Sequence, residues 1–148
     1  MPGSTDAAVA AVVLAAGGSA RFGADLKQLV PFDGETLVHR AARTALQAGL
    51  APVLVVVGCR GEAVAAAVAD LPVEIVESPG WRAGQSRSVT AGLAALPAAA
   101  EAAIFVPCDQ PLLDPPTLER LRATWRETGA AAVVPVFGRR RGSPVLFA

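Results

Sequence analysis

The hydrophobic positions fall into short runs rich in valine and isoleucine, separated by alanine-rich segments whose apolar residues recur at helical spacing. The runs predict β-strands, and the segments between them predict α-helices. The expected strands span residues 9–15, 53–57, 73–76, 102–106, 131–136 and 144–147, and the expected helices span 36–48, 62–69, 86–96 and 115–128. Strands that are apolar throughout are typical of parallel sheets covered on both faces. The order of elements therefore predicts a three-layer α/β/α, Rossmann-like fold with a mostly parallel sheet.

Residues with special backbone or capping preferences mark the expected helix ends. Gly49 and Gly129 each follow a helical segment, and glycine readily adopts the left-handed conformation that ends many helices. Ser86 and Asp114 stand where a side-chain oxygen is expected to cap the first turn of a helix. Pro97 follows the third helical segment, which is expected to end before it.

The composition is that of one globular domain, expected to span residues 1–148. Hydrophobic residues make up 53% of the chain and charged residues 18%. Basic and acidic side chains number 13 each, so neither nucleic acid nor a membrane is an expected partner. The longest apolar run, 7–16, is roughly half the length needed to span a bilayer. Cys59 and Cys108 form neither a disulfide framework nor a zinc motif, which favours a reduced cytoplasmic protein.

A glycine-rich segment follows the first expected strand. Ligands of open α/β sheets bind beyond the carboxyl ends of the strands, and this strand ends in Leu14-Ala15-Ala16-Gly17-Gly18-Ser19. Two adjacent glycines let backbone N–H groups converge on an anion and approach it closely. Arg21 and Lys27 follow, and both can bind phosphate oxygens. The segment predicts a phosphate-binding turn; the alternative, a glycine-rich turn without a ligand, is disfavoured by these two cations.

Two widespread phosphate motifs do not fit this segment. The spacing of Gly18 and Gly23 opens like a P-loop, but Ala24 and Asp25 follow where that motif has Lys and Ser or Thr. The dinucleotide fingerprint of Rossmann oxidoreductases has a different glycine spacing and an acid after the second strand, where this chain has Arg60. An oxidoreductase of that kind is therefore disfavoured.

Polar residues follow two further elements at the same expected sheet edge. Asp109 comes directly after the strand 102–106, where a carboxylate can hold Mg²⁺ against a triphosphate. The alternative for Asp109 is a loop cap, and the neighbouring glycine turn favours the metal. Gln85 and Ser88 stand at the start of a helix and are candidates for hydrogen bonds to a base or ribose.

Several other reactive or aromatic residues are interpreted as structural. His39 has no nucleophile beside it in the sequence and is expected to be a surface or packed residue. Trp81 and Trp125 are expected to pack in the fold, and both cysteines are expected to be buried small apolar residues. The run Arg139-Arg140-Arg141 is interpreted as a solvated turn, with the alternative that Arg141 faces an acceptor.

Four segments together resemble the MobA-like nucleotidyltransferases, and within them the molybdenum cofactor cytidylyltransferases most. The segments are LAAGGSARFG at 14–23 with KQL at 27–29, GW at 80–81 with SRSVTAGL at 86–93, PCDQPL at 107–112, and RGSPVLF at 141–147. They occur in the family's order and cover nearly the whole chain.

The resemblance implies an enzyme that moves CMP from CTP to a phosphorylated acceptor such as molybdopterin and releases pyrophosphate. It implies that the backbone of residues 16–19 and Arg21 hold the triphosphate, and that Lys27 neutralises the charge developing on the α-phosphate and pyrophosphate. It also implies that Ser88 borders the base and that Asp109 binds Mg²⁺. The predicted nucleotide-binding residues are Leu14, Ala15, Ala16, Gly17, Gly18, Ser19, Arg21, Lys27, Gln85 and Ser88, and the predicted catalytic residues are Arg21, Lys27 and Asp109. Ala16 favours CTP over GTP, and the product is expected to pass to a molybdoenzyme or its chaperone.

The chain departs from the family pattern in two places. Ser143 stands where relatives usually have His or Asn, in the region that faces the acceptor. Relatives also continue past the position of Ala148 with a second acidic metal ligand, so the domain is expected to lack a C-terminal segment. The alternatives are a cytidylyl- or guanylyltransferase for another phosphorylated small molecule, including a sugar or isoprenoid phosphate, and a non-catalytic nucleotide-binding accessory module.

Overall fold

The computed structural model describes residues 8–18 and 26–148. Within these ranges, six strands form the main sheet in the order β5-β4-β1-β6-β10-β7. They are β1 (Ala8–Ala15), β4 (Val53–Val57), β5 (Glu74–Glu77), β6 (Ala100–Pro107), β7 (Ala132–Val133) and β10 (Val145–Phe147). Two short hairpins pair β2 (Pro31–Phe32) with β3 (Glu35–Thr36) and β8 (Val136–Phe137) with β9 (Arg140–Arg141).

The main sheet is mostly parallel, as predicted. β1 lies between β4 and β6 and runs parallel to both, and β5 runs parallel to β4. β10 is antiparallel to β6 and to β7. The carboxyl ends of β1, β4, β5 and β6 therefore meet at one edge of the sheet, where the chain after each strand can contribute to a single site.

Helices cover both faces of this sheet, so the predicted three-layer fold is confirmed. In the described residues they are α1 (Leu37–Gln47), α2 (Gly61–Ala67), α3 (Gln85–Ala95) and α4 (Pro115–Thr128). Because successive strand residues point to opposite faces, Val9, Ala11 and Val13 pack in one cluster with α1, α2 and α4. Ala10 and Val12 pack in the other cluster, with α3. No helix of the described part of the chain is long and apolar enough to cross a bilayer.

Local sequence rules located three of the helix ends. The Asp114 side chain accepts a hydrogen bond from the Thr117 backbone N–H, as the predicted N-cap of α4. Gly129 follows α4 with a φ of 64°, and Gly49 follows α1 with a φ of 81°. Both glycines therefore adopt the left-handed conformation that the sequence analysis expected of them.

Two expected boundaries were wrong. Ser86 is not the cap of α3, because the helix begins at Gln85 and Gly84 occupies the cap position with a φ of 118°. Gly84 directly follows a 3-10 turn at Trp81–Ala83, and only glycine adopts its backbone conformation easily. The expected strand 131–136 is two separate strands, β7 and β8, and the break includes Pro135, which has no N–H to donate to a sheet.

His39 is packed in an ion-pair cluster, one of the two environments expected for it. Its Nδ1 lies 2.5 Å from Glu35 Oε2, and its Nε2 lies 3.0 Å from Asp70 Oδ2. Burial alone would lower the pKa of His39, but the hydrogen bonds to Asp70 and Glu35 outweigh it and raise that pKa. Arg43 also contacts Glu35, whose pKa falls to about 2 chiefly because of that hydrogen bond. The cluster ties the start of α1 to the chain after α2.

Candidate functional site

A cavity of about 620 Å³ opens at the carboxyl ends of β1 and β6 and at the start of α3. Its size is within the range of small-molecule sites in proteins. The residues that line it are Leu14, Ala16, Gly17, Gly18, Lys27, Gln28, Trp81, Arg82, Gly84, Gln85, Ser88, Pro107, Cys108 and Asp109. Segments far apart in the sequence are therefore brought to one place by the order of the strands.

Lys27 and Asp109 form an ion pair inside this cavity. The Lys27 ammonium Nζ donates a hydrogen bond of 2.9 Å to Asp109 Oδ2, although 82 residues separate them in the chain. Their side chains are 38% and 48% exposed, and so exposed a pair contributes little to fold stability. The pairing instead brings a movable cation and a carboxylate to the place where strands β1 and β6 end.

The turn that carries Lys27 also contacts the glycine segment. Gln28 is 5% exposed and donates hydrogen bonds to the carbonyl oxygens of Ala15 at 2.9 Å and Gly17 at 2.7 Å. Gln28 had no predicted role of its own, because a single glutamine next to a lysine has no pattern that distinguishes it from a surface residue. Its burial depends on β1, which is more than ten residues away in sequence.

Trp81 lines the cavity and packs against two glycines. A Cβ added to Gly58 would lie 2.6 Å from the Trp81 Cβ, and one added to Gly18 would lie 2.9 Å from Trp81 Cζ3. The indole therefore rests against two glycines that have no room for a side chain. The Arg82 guanidinium carbon lies 5.3 Å from the centre of the ring. Trp81 packs as expected, and it also lines the cavity, which the sequence analysis did not predict.

The structure brings together most of the residues proposed from the sequence. The predicted site residues that line the cavity are Leu14, Ala16, Gly17, Gly18, Lys27, Gln85, Ser88 and Asp109. The side chain of Ala15 does not, because it points to the other face of β1 and is buried in the core cluster with α1. Ser19 and Arg21 lie outside the described residues. Their predicted roles therefore stay predictions.

The lining supplies one carboxylate for a metal ion. The described residues contain no group of three or more His, Cys, Asp or Glu side chains placed to hold a metal. Mg²⁺ commonly binds through one or two carboxylates, with substrate phosphates and water completing its shell. Asp109 already accepts a hydrogen bond from a cation in the cavity, so this position suits a site of that kind.

Cys108 lines the cavity but is not a nucleophile. Burial, reinforced by the Asp109 carboxylate, raises the pKa of its thiol to about 12. A thiol with that pKa stays protonated near neutral pH and does not attack a substrate. Cys108 is thus buried, as expected from the sequence, whereas the same expectation was wrong for Cys59, which is only partly buried.

The segment after β8 lies outside the cavity lining. Arg139, Arg140 and Arg141 are exposed, as expected, but only Arg139 lies in a turn, since Arg140–Arg141 form β9. Neither Arg141 nor Ser143 lines the cavity. The loop is nevertheless tied to the strand end that carries Asp109, because Gln110 Nε2 donates a hydrogen bond of 3.2 Å to the Ser143 carbonyl oxygen.

The chain is similar to known proteins in sequence and to solved structures in fold. The chain is 38% identical over 125 residues to nicotine blue oxidoreductase from Paenarthrobacter nicotinovorans, covering 84% of this chain and 61% of that protein. The chain thus spans less than two thirds of the length of that relative. The crystal structure of Rv0371c from Mycobacterium tuberculosis superimposes with a TM-score of 0.81 and 30% identity over 97% of this chain and 72% of that one.

Two further solved structures bear on the site. A structure of Rv0371c in complex with manganese superimposes with a TM-score of 0.76 and 26% identity, over 95% of this chain and 71% of that one. A nucleotidyl transferase from Methanothermobacter thermautotrophicus superimposes with a TM-score of 0.80 and 26% identity, over 94% of this chain and 70% of that one. The sequence profile of the MobA-like NTP transferase domain matches residues 11–148. The chain therefore belongs to the MobA-like NTP transferase family.

Proposed function

We propose that this chain is a nucleotidyltransferase that moves CMP from CTP to a phosphorylated acceptor of the molybdopterin type. The observation that carries the proposal is the Lys27–Asp109 ion pair, which lines the same cavity as the Gly17-Gly18 segment. A cation, a carboxylate and a flexible glycine backbone are the groups that bind a metal-associated triphosphate. Membership of the MobA-like NTP transferase family supports the same reaction class.

The reaction needs positioning and charge neutralisation rather than a general base. A phosphate oxygen of the acceptor attacks the α-phosphorus of CTP and forms a new P–O bond. The bond between the α-phosphorus and its bridging oxygen breaks, and pyrophosphate leaves with that electron pair. Because the attacking oxygen is already an anion, no residue has to remove a proton. Lys27 is the only lysine in the sequence, and its ammonium neutralises charge that develops on the phosphates.

Asp109 is the residue proposed to hold Mg²⁺. The ion, when bound, would neutralise part of the triphosphate charge and polarise the phosphorus that is attacked. Lys27 then has two successive roles. It pairs with Asp109 before the nucleotide binds, and it turns to the phosphates afterwards. The manganese complex of Rv0371c supports a divalent metal in this fold.

The cavity lining offers different groups to different parts of a nucleotide. Lys27 and Asp109 supply charge, while Trp81, Gln85 and Ser88 supply an aromatic ring and polar side chains. Ser88 lines the cavity although it is only 4% exposed, so only a ligand that enters deeply would contact it. We assign the triphosphate to Lys27, Asp109 and the glycine backbone, and the base to Gln85 and Ser88. CTP is favoured over GTP by the alanine at position 16, and delivery to a molybdoenzyme or its chaperone follows from the proposed product.

A pyrophosphate-release assay tests the proposal. Wild-type protein with Mg²⁺ and a molybdopterin-type acceptor is expected to release pyrophosphate faster with CTP than with GTP. Lys27→Ala and Asp109→Asn are expected to reduce turnover by orders of magnitude, on the order of 10²–10³ or more. Asp33→Asn is the matched control, because Asp33 is exposed in the β2–β3 turn and its φ of 52° suits asparagine. Wild-type rates in either site variant would remove that residue from the mechanism.

An oxidoreductase is the second candidate, since a relative 38% identical to this chain is named nicotine blue oxidoreductase. The two candidates differ in the ligand of the cavity. If the cavity takes a nicotinamide dinucleotide, that cofactor will displace CTP, its reduced form will be oxidised when an electron acceptor is added, and its oxidised form will be reduced when an electron donor is added. A chain that binds CTP without releasing pyrophosphate, with any of several phosphorylated acceptors, would instead be a nucleotide-binding accessory module.

A further inference from the structure

The 3-10 turn at Lys27–Leu29 contacts two parts of the cavity at once. Lys27 reaches outward to Asp109, at the end of β6. The next residue, Gln28, reaches the end of β1 and the glycine segment with its side chain. Gln28 is 5% exposed, whereas the Lys27 side chain is 38% exposed. One short turn thus connects the proposed phosphate-binding backbone to the proposed metal ligand.

Gln28 holds two carbonyl groups of the glycine segment at the same time. Its side-chain NH₂ group has two hydrogens, and it donates to the Ala15 oxygen at 2.9 Å and to the Gly17 oxygen at 2.7 Å. The carbonyl between them, that of Ala16, accepts a hydrogen bond of 3.1 Å from the Cys59 backbone N–H. Three consecutive carbonyl groups are therefore fixed by partners from outside the segment.

Because the peptide bond is planar, fixing a carbonyl group also fixes the direction of the N–H group in the same peptide. In a trans peptide, the C=O of one residue and the N–H of the next point in opposite directions. When Gln28 binds the carbonyls of Ala15 and Gly17, it directs the N–H groups of Ala16 and Gly18 away from itself. Glycine has little conformational preference of its own, so without such a partner the peptide planes around Gly17 and Gly18 can rotate.

We propose that Gln28 is a positioning residue that holds the Gly17-Gly18 backbone in the orientation that binds the triphosphate. This inference rests on the proposed function, because it assigns the oriented N–H groups to the phosphates. Gln28 touches neither the α-phosphorus nor the acceptor. Its effect is to keep the backbone donors preorganised, and loss of preorganisation weakens binding without changing the reacting groups.

Removal of both donors at constant length is the first test. Gln28→Met has nearly the same length and no N–H, and Thr44→Val is the matched control. Thr44 is 4% exposed, and its Oγ1 donates a 2.8 Å hydrogen bond to the Arg40 carbonyl inside α1, so Thr44→Val also removes a buried hydrogen bond. Affinities for inorganic triphosphate and for CTP, each with Mg²⁺, are measured by calorimetry. Gln28→Met is expected to weaken both by roughly tenfold or more, and Thr44→Val by less than about twofold.

Steady-state rates separate positioning from chemistry. Gln28→Met retains Lys27 and Asp109, so the KM for CTP is expected to rise while kcat at saturating CTP stays within a few-fold of wild type. A fall in kcat as large as that of Lys27→Ala, with unchanged KM, would overturn the positioning role.

The pH dependence of triphosphate affinity in Gln28→Glu distinguishes positioning from a purely structural role, which would leave that dependence unchanged. At neutral pH its carboxylate would face the Ala15 and Gly17 oxygens and repel them, but the protonated acid carries one O–H donor. Its triphosphate affinity relative to wild type at the same pH is therefore expected to recover as the pH falls. Gln28→Met should show no such recovery. If Gln28→Met does not fold, this pH dependence alone decides the question, and a flat profile overturns the proposal.

A measurement without ligand distinguishes failure of this inference from failure of the proposed function. Amide hydrogen exchange of Ala16 and Gly18 is expected to be faster in Gln28→Met than in wild type and unchanged in Thr44→Val. If wild-type protein binds neither triphosphate nor CTP, the proposed function is wrong. Faster exchange in Gln28→Met would then still support the inference that Gln28 orients the backbone of the glycine segment. Unchanged exchange together with unchanged triphosphate affinity in Gln28→Met would overturn the inference while leaving the proposed function in place.

Discussion

The contact between α3 and β1 leads to a quantitative prediction for Gly92→Ala. Gly92 lies inside α3, where the change from glycine to alanine normally stabilises a helix by about 1 kcal/mol. In this fold, however, an ideal Cβ on Gly92 would lie 2.6 Å from Val12 Cγ1 and 3.4 Å from Val56 Cγ2. Both valines are completely buried, on neighbouring central strands, and valine has few alternative side-chain conformations.

The steric cost is expected to exceed the gain in helix propensity. Extra atoms in a packed core typically cost about 1–3 kcal/mol. Subtracting the helix gain of about 1 kcal/mol leaves a net destabilisation of about 0–2 kcal/mol, and the distance of 2.6 Å to a buried methyl group places the expectation in the upper half of that range. Gly92→Ala should also move the start of α3, so weaker CTP binding through Gln85 and Ser88 is expected as well.

Urea unfolding of four proteins measures this effect: wild type, Gly92→Ala, Val12→Ala and the double variant. Val12→Ala removes the methyl group that a Cβ at position 92 would strike, so the new Cβ should be tolerated or even stabilising in that background. The coupling free energy between the two positions is therefore expected to be about 1 kcal/mol or more. If Gly92→Ala stabilises the otherwise unchanged protein by the full helix gain, α3 does not approach β1 as closely as these distances require.

Three further predictions follow from single contacts. Gly58→Ala would place a Cβ 2.6 Å from the Trp81 Cβ, and we expect CTP affinity in calorimetry to fall roughly tenfold; wild-type affinity would contradict this packing. The pKa of Glu35 is lowered from 4.5 to about 2, chiefly by Arg43, so its ionised form stabilises the fold above about pH 4.5, and this contribution is lost as the pH falls through about 2. The stability difference between wild type and Glu35→Gln in urea should shrink over that window; a constant difference would contradict the assignment. Asp114→Ala removes the N-cap of α4 and should cost about 1 kcal/mol in urea unfolding while CTP affinity stays unchanged, since Asp114 does not line the cavity.

The features predicted correctly from the sequence are those that local physics decides. Strand and helix periodicity, the Asp114 cap and the left-handed glycines at positions 49 and 129 depend on residues within a few positions of one another. The meeting of Lys27 and the strand end at Asp109 was also predictable, although it is not local. Parallel strands present their carboxyl ends at one edge, so the topology alone brings those segments together.

Other features arise only from tertiary packing. Ser86 has the chemistry of a cap, yet Gly84 takes that position because the preceding turn at Trp81 requires a backbone conformation that glycine adopts easily. The wall formed by Trp81 depends on the space above Gly58, which only the arrangement of neighbouring strands creates. A steric fit of this kind has no periodic signal in the sequence.

The sequence by itself thus determined the layered fold, the edge of the sheet that carries the candidate site and the chemical types of the groups found there. Only the tertiary structure decided which atoms meet: Gln28 on the carbonyl groups of Ala15 and Gly17, and Ala15 itself turned to the core. The physical reason is that hydrophobic patterning and capping act over a few residues. The partners of a buried hydrogen bond, and the room beside a glycine, are set by chain segments that folding brings together from distant positions.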